Sequence, residues 1–174
     1  MNSPVRSYLA ARFAVATALT MLRTAIAWEV FAVSKSAFHL GLIGIVQFLP
    51  ALGLSLVGGA VADSHDRRRV MIVAEVVPLA CGLLLAAVSS RGAGDLWLLY
   101  GVIFVISAAA TFDNPAGAAM LPALVGRDQF PRAVAAASTT RALAFATGPA
   151  AAGFVIAEAG VGAAYAVSAT LVLV

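Results

Sequence analysis

Residues 58–69 read GGAVADSHDRRR, and this stretch decides the fold because it places a short charged turn directly between two long apolar runs. The paired glycines at its start allow helix backbones to approach closely inside a bilayer. The three arginines at its end resist transfer across a membrane. Asp63, at the end of the first run, can meet Arg67 four residues further on. The stretch therefore predicts two membrane-spanning helices joined by a turn on the cytoplasmic side.

The composition predicts an all-α integral membrane protein. Of the 174 residues, 62% are hydrophobic and only 11% are charged, and the mean hydropathy is +0.99, which is more apolar than soluble domains are. The net charge of +3 does not indicate a nucleic-acid partner, because the basic residues are spread over short loops without interleaved aromatic residues. Cys81, the single cysteine, excludes a disulfide framework within the chain. His39 and His65 are expected in solvated loops on opposite sides of the membrane, where they cannot share a metal ion.

Apolar runs recur at lengths close to the roughly 20 residues that span a bilayer as a helix. They predict five full spans and a sixth that is cut short, at 13–33, 40–62, 70–88, 96–121, 133–157 and 162–174. The sixth run is still apolar at its last residue, after about 13 residues or roughly 20 Å of helix rise. Since a hydrocarbon core is ~30 Å thick, we expect a truncated chain.

The distribution of positive charge predicts a cytoplasmic amino terminus in the plasma (inner) membrane. Among the predicted loops, one side holds only Lys35 and Arg91, whereas the other side holds seven arginines, namely Arg6, Arg12, Arg67, Arg68, Arg69, Arg127 and Arg132. A cleaved secretory signal is the alternative for the first segment, because residues 25–27 read AIA. The apolar run continues to Val33, however, which favours a retained span.

Four ionisable residues stand out within the predicted spans, where a charged side chain costs several kcal/mol and normally faces a cavity or a partner. They are Arg23, Glu29, Asp113 and Arg141. Arg23 and Glu29 lie about 240° apart around a helix, so each needs a partner on another helix. Two interpretations stay open: a cavity that accepts anionic or polar groups, or an internal salt-bridge lattice that holds the helices together.

Prolines interrupt several predicted spans and suggest hinges. The fifth span contains Gly148, Pro149 and Gly153 on a face of small residues, a pattern that allows kinking and close packing. In the fourth span, FDNP at 112–115 places a proline beside Asp113, and proline frees a backbone carbonyl that a cavity can use. For Asn114 and Pro115 the favoured interpretation is a simple helix end, and the role of Asp113 stays open.

The motif Gly59-x-x-x-Asp63-x-x-x-Arg67-Arg68 resembles the signature loop of the major facilitator superfamily. The resemblance extends to GP-x-x-x-G at 148–153, which is similar to the antiporter motif of that family's fifth helix. Two further stretches, QFLP at 47–50 and FDNP at 112–115, resemble the exporter branch that includes the enterobactin exporter. The resemblance covers essentially the whole chain, but only the amino-terminal half of the family's twelve-helix fold.

This resemblance implies a function as a proton-coupled exporter of small molecules, such as siderophores or drugs, by alternating access. Residues 1–174 would form one amino-terminal transmembrane half, with the carboxy-terminal half absent, and Asp63 and Arg67 would form a gate contact. Glu29, Glu75 and Asp113 are the candidate proton carriers. The implied partners are the small-molecule substrate, the lipid bilayer and the missing half, with a proton gradient instead of a cofactor and no enzymatic activity. The alternatives are a half-size subunit that dimerises into a transporter and a membrane receptor or scaffold without transport.

Overall fold

The computed structural model describes residues 3–89 and 94–173, and it leaves out the side chains of Ser3, Pro4, Ala62, Asp63, Ala123 and Arg127. Within these residues the chain is almost entirely helical, with short connections between long helices. The helices are α1 (Ser3–Ser34), α2 (Ala37–Ser64), α3 (Arg67–Ser89), α4 (Leu96–Leu124) and α5 (Phe130–Val172), and a 3-10 turn at Arg127–Gln129 precedes α5.

All five helices are long and apolar enough to cross a bilayer. The shortest, α3, has 23 residues, which corresponds to a rise of roughly 35 Å. The prediction of an all-α membrane helix bundle is therefore confirmed.

The connections follow from local sequence. His65 has an extended backbone and ends α2. The side chain of Asp66 then accepts hydrogen bonds from the backbone N–H groups of Arg68 (2.9 Å) and Arg69 (3.2 Å), which satisfies free donors in the first turn of α3. Asp95 starts α4 in the same way, because its side chain accepts from the backbone N–H of Trp97 at 2.9 Å.

The predicted fifth and sixth spans form one continuous helical element, so the described residues contain five long helices instead of six, the last with two segments that meet at a kink. Both lie in α5, which departs from helical geometry at Gly160 (φ 83°, ψ 172°). Glycine adopts this conformation without the steric cost of a Cβ, so the chain changes direction without a loop. Beyond it, Gly162 lies against Ser89 and Ala169 lies against Gly82, so this last part of α5 runs antiparallel to α3, as a sixth span would.

Helix α1 lies at the centre of the bundle and buries more of its surface than the other spans. The core is formed around Met21, Leu22 and Ile26 of α1, Ile103 of α4 and Tyr165 of α5. Small residues bring other helices close together. Gly58 of α2 lies against the backbone carbonyl of Thr111, and Gly148 of α5 lies against the hydroxyl of Thr20, in each case where a Cβ has no room.

Candidate functional site

An ion cluster joins three helices near the end of the bundle at which α1 begins. Arg12 of α1 donates from Nη1 to Oδ1 of Asp113 and from Nη2 to Oδ2 of the same carboxylate, both at 2.8 Å. Nη1 also donates to Oε1 of Glu75 on α3 at 3.3 Å. Asp113, on α4, is only 7% exposed. Two parallel hydrogen bonds between guanidinium and carboxylate form the strongest common ion-pair geometry, so Arg12 and Asp113 hold α1 and α4 in register.

The sequence around Asp113 explains its position. Pro115 lies inside α4, which continues to Leu124, so the prediction of a helix end at this proline is wrong. Because proline has no N–H, the carbonyl of Thr111 four residues earlier loses its helical donor. Gly58 of α2 lies directly against that carbonyl. The carbonyl that Pro115 frees therefore lies where the backbones of α2 and α4 meet, two residues before the buried acid.

Tyr8 and Gly117 complete the surroundings of Arg12. The hydroxyl of Tyr8 donates to the carbonyl oxygen of Gly117 at 2.9 Å. A Cβ at Gly117 would lie 3.3 Å from Nη2 of Arg12, which is tighter than ordinary packing. The absence of a side chain at Gly117 thus leaves the guanidinium room to face Asp113.

A cavity of about 690 Å³ lies beside this cluster, between α1, α4 and α5. Its lining combines apolar and aromatic surface with two arginines, and it includes Tyr8, Arg12, Phe130, Arg141 and Phe145. Arg141 forms no ion pair with any of the described side chains, whereas Arg12 is matched by two carboxylates. The cavity wall therefore presents one positive charge that is uncompensated within the described part of the chain.

Arg23 lies on nearly the same face of α1 as Arg12, closer to the other end of the bundle. It follows Arg12 by eleven residues, which is about 20° around the helix and about 16 Å along it. Its Nε is buried and has no hydrogen-bond partner among the described residues. The expectation that Arg23 finds a partner on another helix is thus not met within residues 3–89 and 94–173.

Glu29 does find its partner on another helix, as predicted. Its Oε2 accepts a hydrogen bond of 2.5 Å from the hydroxyl of Tyr165, and both side chains are buried. Tyr165 follows the break at Gly160, so this bond ties the last part of α5 to α1. Glu29 lies about 25 Å along α1 from Arg12, so the two acid sites are separate.

The structure shows a contact to another helix for only one of the predicted gate residues, Arg67, among those whose side chains it describes. The side chain of Asp63 lies outside the described residues, so its contact with Arg67 stays a prediction. Arg67 donates from Nη1 to the carbonyl oxygen of Ala119 on α4 at 2.9 Å, which ties the start of α3 to the end of α4. Arg68 is exposed, and Gly59 faces open space, so the close approach that the glycine pair predicted is made by Gly58.

The predicted hinge residues of α5 have different surroundings in the structure. Gly148 is buried against Thr20, Pro149 lies within the helix, and Gly153 is exposed with nothing near it. The residue of α5 that leaves helical geometry is Gly160. A hinge role for Gly148, Pro149 and Gly153 stays a prediction, while the contact between Gly148 and Thr20 shows a packing role.

Sequence reasoning missed two residues. Arg12 was expected in a loop before the first span, but α1 already begins at Ser3 and carries Arg12 on a packed face. Val5 and Leu9, four residues apart and both buried, are the signal that extends the helix backwards. His39 was also expected in a solvated loop. It lies in α2 instead, partly buried, with Nδ1 2.7 Å from the hydroxyl of Tyr100.

Comparison with known proteins identifies the family. The family model described as "Transmembrane secretion effector" matches residues 4–174. The macrolide efflux protein A of Streptococcus pyogenes is 30% identical over 109 residues, which is 63% of this chain and 27% of that protein. Macrolide efflux protein A of Enterococcus faecalis is 31% identical over 87 residues, which is 50% of this chain and 27% of that protein. No solved structure matches the chain significantly.

These matches agree with the bundle of apolar helices and with the motifs between α2 and α3. The matched stretch covers 27% of the length of the curated relatives. The family model, by contrast, covers nearly the whole chain. The chain is a multi-pass membrane protein and belongs to the transmembrane secretion effector family, which is of the major facilitator type.

Proposed function

We propose that this chain is the amino-terminal half of an efflux transporter that moves small molecules across the membrane by alternating access. The single observation that carries the proposal is that Arg12 lines the 690 Å³ cavity while it is ion-paired with Glu75 and Asp113. The family match and the two efflux proteins among the relatives support the direction of transport. Residues 1–174 would pair with a second, carboxy-terminal half to close the cavity.

The charge balance of the cluster supports proton coupling. One guanidinium faces two carboxylates, so the cluster has one net negative charge when both acids are ionised. An excess charge at membrane depth is costly, and one added proton removes it. Glu75 makes a single contact of 3.3 Å, whereas Asp113 makes two of 2.8 Å. Glu75 is therefore the better proton carrier, and Asp113 the structural partner of Arg12. The proton gradient would supply the energy.

The predicted orientation indicates the side of the membrane from which a substrate would enter the cavity. Even without Arg12, which lies in the ion cluster, six arginines lie toward one side against two basic residues on the other, so we place the amino terminus in the cytoplasm and the protein in the plasma (inner) membrane. Tyr8, near the start of α1, and Phe130, at the start of α5, both line the cavity. The cavity would therefore open toward the cytoplasm, where an exporter collects its substrate.

The lining favours a substrate with both apolar surface and negatively charged or hydrogen-bond-accepting groups. Phe130 and Phe145 supply apolar surface, and Arg141 supplies a guanidinium without an ionic partner among the described residues. Siderophores and drugs, including macrolides, contain groups of both kinds. Transport of a siderophore rests on the QFLP and FDNP stretches, and transport of a macrolide rests on the names of the relatives.

A half-size subunit that dimerises is the second candidate. It is favoured by the large apolar side chains that the bundle leaves exposed on α2 and α5, among them Leu56 at 88% and Phe154 at 70%. A second copy could cover these faces as well as a carboxy-terminal half could. The receptor or scaffold alternative has no observation of its own in support.

Efflux assays test these proposals. We would express the 174-residue chain alone and the open reading frame extended past Val174, and measure accumulation of siderophores, dyes and macrolides in the cells. Efflux by the extended form alone supports the amino-terminal half, and efflux by the chain alone supports the dimer. Arg12→Ala and Asp113→Asn in the active form should abolish efflux while membrane insertion persists. Absence of efflux from both forms across the panel would overturn the proposal.

A further inference from the structure

A second groove lies on the bundle away from the cavity beside Arg12. It has a volume of about 530 Å³, is formed by α2, α3 and α4, and shares no lining residue with that cavity. We call it the α2–α3 groove. Its charged end is formed by His65, Asp66 and Arg69. The remainder is lined by valines, alanines and Phe112.

Charged and apolar residues are separated along the groove in the direction of the membrane normal. His65, Asp66 and Arg69 lie at the turn between α2 and α3, where two spans meet the membrane surface. On α3 the lining then continues through Val73 to Val77, about 12 Å from Arg69 toward the bilayer interior. This order, charge at the surface and apolar side chains below it, matches the order of head group and acyl chain in a phospholipid.

The charged end offers positive charge that other residues do not use. The carboxylate of Asp66 is already engaged by the backbone N–H groups of Arg68 and Arg69. Nδ1 of His65 lies 2.8 Å from the hydroxyl of Ser64. The guanidinium of Arg69, by contrast, forms no ion pair with any side chain that the structure describes. The start of α3 adds the partial positive charge of a helix amino terminus beside it.

We propose that the α2–α3 groove binds one anionic phospholipid, with its phosphate on Arg69 and one acyl chain along Val73 and Val77. Charge complementarity selects an anionic head group, since basic pockets between transmembrane helices bind such groups. The apolar part selects a lipid over a free anion, because an anion alone would leave the valines unused. Val73 is 67% exposed, so the groove is open to a chain that enters from the side. The site is independent of the transported substrate.

Lipid selectivity in a defined bilayer tests this proposal. The protein would be reconstituted in phosphatidylcholine containing either spin-labelled phosphatidylglycerol or spin-labelled phosphatidylcholine, and the immobilised fraction measured by electron paramagnetic resonance. Arg68→Gln is the matched control, because Arg68 is the neighbour of Arg69, is exposed like it, and does not line the groove. Circular dichroism would verify the helix content of each variant.

We expect Arg69→Gln to lower the selectivity for phosphatidylglycerol about tenfold, as expected for loss of a hydrogen bond to a charged group. Arg68→Gln should lower it at most about fivefold, through the general attraction of basic residues to an anionic surface. Equal losses in both variants, or no selectivity in the unaltered protein, would overturn the proposal.

A second variant tests the acyl-chain part. Val73→Trp fills the groove, leaves Arg69 in place, and should remove the immobilised phosphatidylglycerol. Immobilisation that survives this change would show that no chain occupies the groove, which contradicts a lipid site. Displacement of the labelled lipid by excess inorganic phosphate would also contradict a lipid site, because it would show that the charged end binds a free anion.

Discussion

Arg12 and Asp113 face each other with both terminal guanidinium nitrogens 2.8 Å from the two carboxylate oxygens, across a separation of 101 positions in the sequence. Asp113 is 7% exposed, so little water is available to solvate its carboxylate if Arg12 is removed. Pairing on both sides reduces the cost of burying the two charges, whereas removal of one partner leaves the other uncompensated. The pair therefore contributes to stability as a unit.

This relationship predicts strong coupling between the two residues in a double-mutant cycle. Arg12→Met alone should lower the free energy of unfolding by about 3–5 kcal/mol, because it leaves the charge of Asp113 buried without its partner. Adding Asp113→Asn should recover about 0.5–3 kcal/mol of that loss. The measurement is denaturant unfolding in detergent, followed by circular dichroism.

The control for this cycle is Arg141→Met, which removes an arginine from the same cavity that has no ionic partner among the described residues. It should change stability by only about 0.5 kcal/mol. Additive effects of the Arg12 and Asp113 variants would contradict the coupling.

Replacement of Glu75 should change the proton dependence of efflux more than it changes folding. In the extended, transporting protein, Glu75→Gln removes the second carboxylate of the cluster, while the amide oxygen can still accept the bond from Arg12. The cluster then has no net charge for a proton to neutralise. We therefore expect the ratio of the efflux rates at two imposed pH gradients to fall by about tenfold, which is within the usual range of coupling between two sites. Transport into vesicles at several imposed pH gradients measures this.

Asp113→Asn is the comparison for Glu75→Gln, because it breaks the tighter pair and should lower folded yield as well. An unchanged pH dependence in folded Glu75→Gln protein would remove Glu75 as the proton carrier, while leaving the proposed efflux function itself intact.

The spans could be predicted from the sequence because a run of roughly 20 apolar residues has few alternatives to a membrane helix. The ion cluster could not, since the pairing of Arg12 with Asp113 depends on the packing of helices far apart in the chain. Hydropathy averaged over a window also hid the start of α1, where Arg6 and Arg12 lower the mean although Val5 and Leu9 are buried. Gly160 lies between the predicted fifth and sixth spans, but its kink within a continuous helix could not be predicted, because hydropathy does not report a backbone dihedral.

Gly148 and Gly153 should respond in opposite ways to the same substitution. A Cβ at Gly148 would collide with the side chain of Thr20, so Gly148→Ala should lower the unfolding free energy by about 1–3 kcal/mol. Gly153 has nothing within 4 Å of its Cβ position, so Gly153→Ala should raise it by roughly 0.5–1 kcal/mol through helix propensity. Thermal unfolding in detergent measures both, and Thr20→Ala should partly rescue Gly148→Ala. Equal effects at the two glycines would contradict the close packing of α1 and α5.

Gly160 should resist substitution for a conformational reason, not for lack of space. Nothing lies within 4 Å of its Cβ position, but its φ of 83° and ψ of 172° belong to a region that is essentially restricted to glycine. Gly160→Ala should therefore cost about 1–3 kcal/mol, again measured by thermal unfolding in detergent. Gly153→Ala on the same helix is the control. A neutral Gly160→Ala would mean that α5 passes this point without the break.

The change in direction at Gly160 can also be tested by a disulfide. A Cβ at Gly162 would lie 3.6 Å from the Cβ of Ser89, which is within the spacing that a disulfide needs. In a Cys81→Ser background, Ser89→Cys with Gly162→Cys should therefore cross-link on mild oxidation, because the last part of α5 returns along α3. Ser89→Cys with Gly153→Cys is the control and should stay reduced, since Gly153 has no neighbour within 4 Å of its Cβ position. Digestion between the two cysteines, followed by electrophoresis with and without reductant, detects the bond. If α5 continued straight past Gly160, Gly162 would lie away from α3 and the first pair would not cross-link.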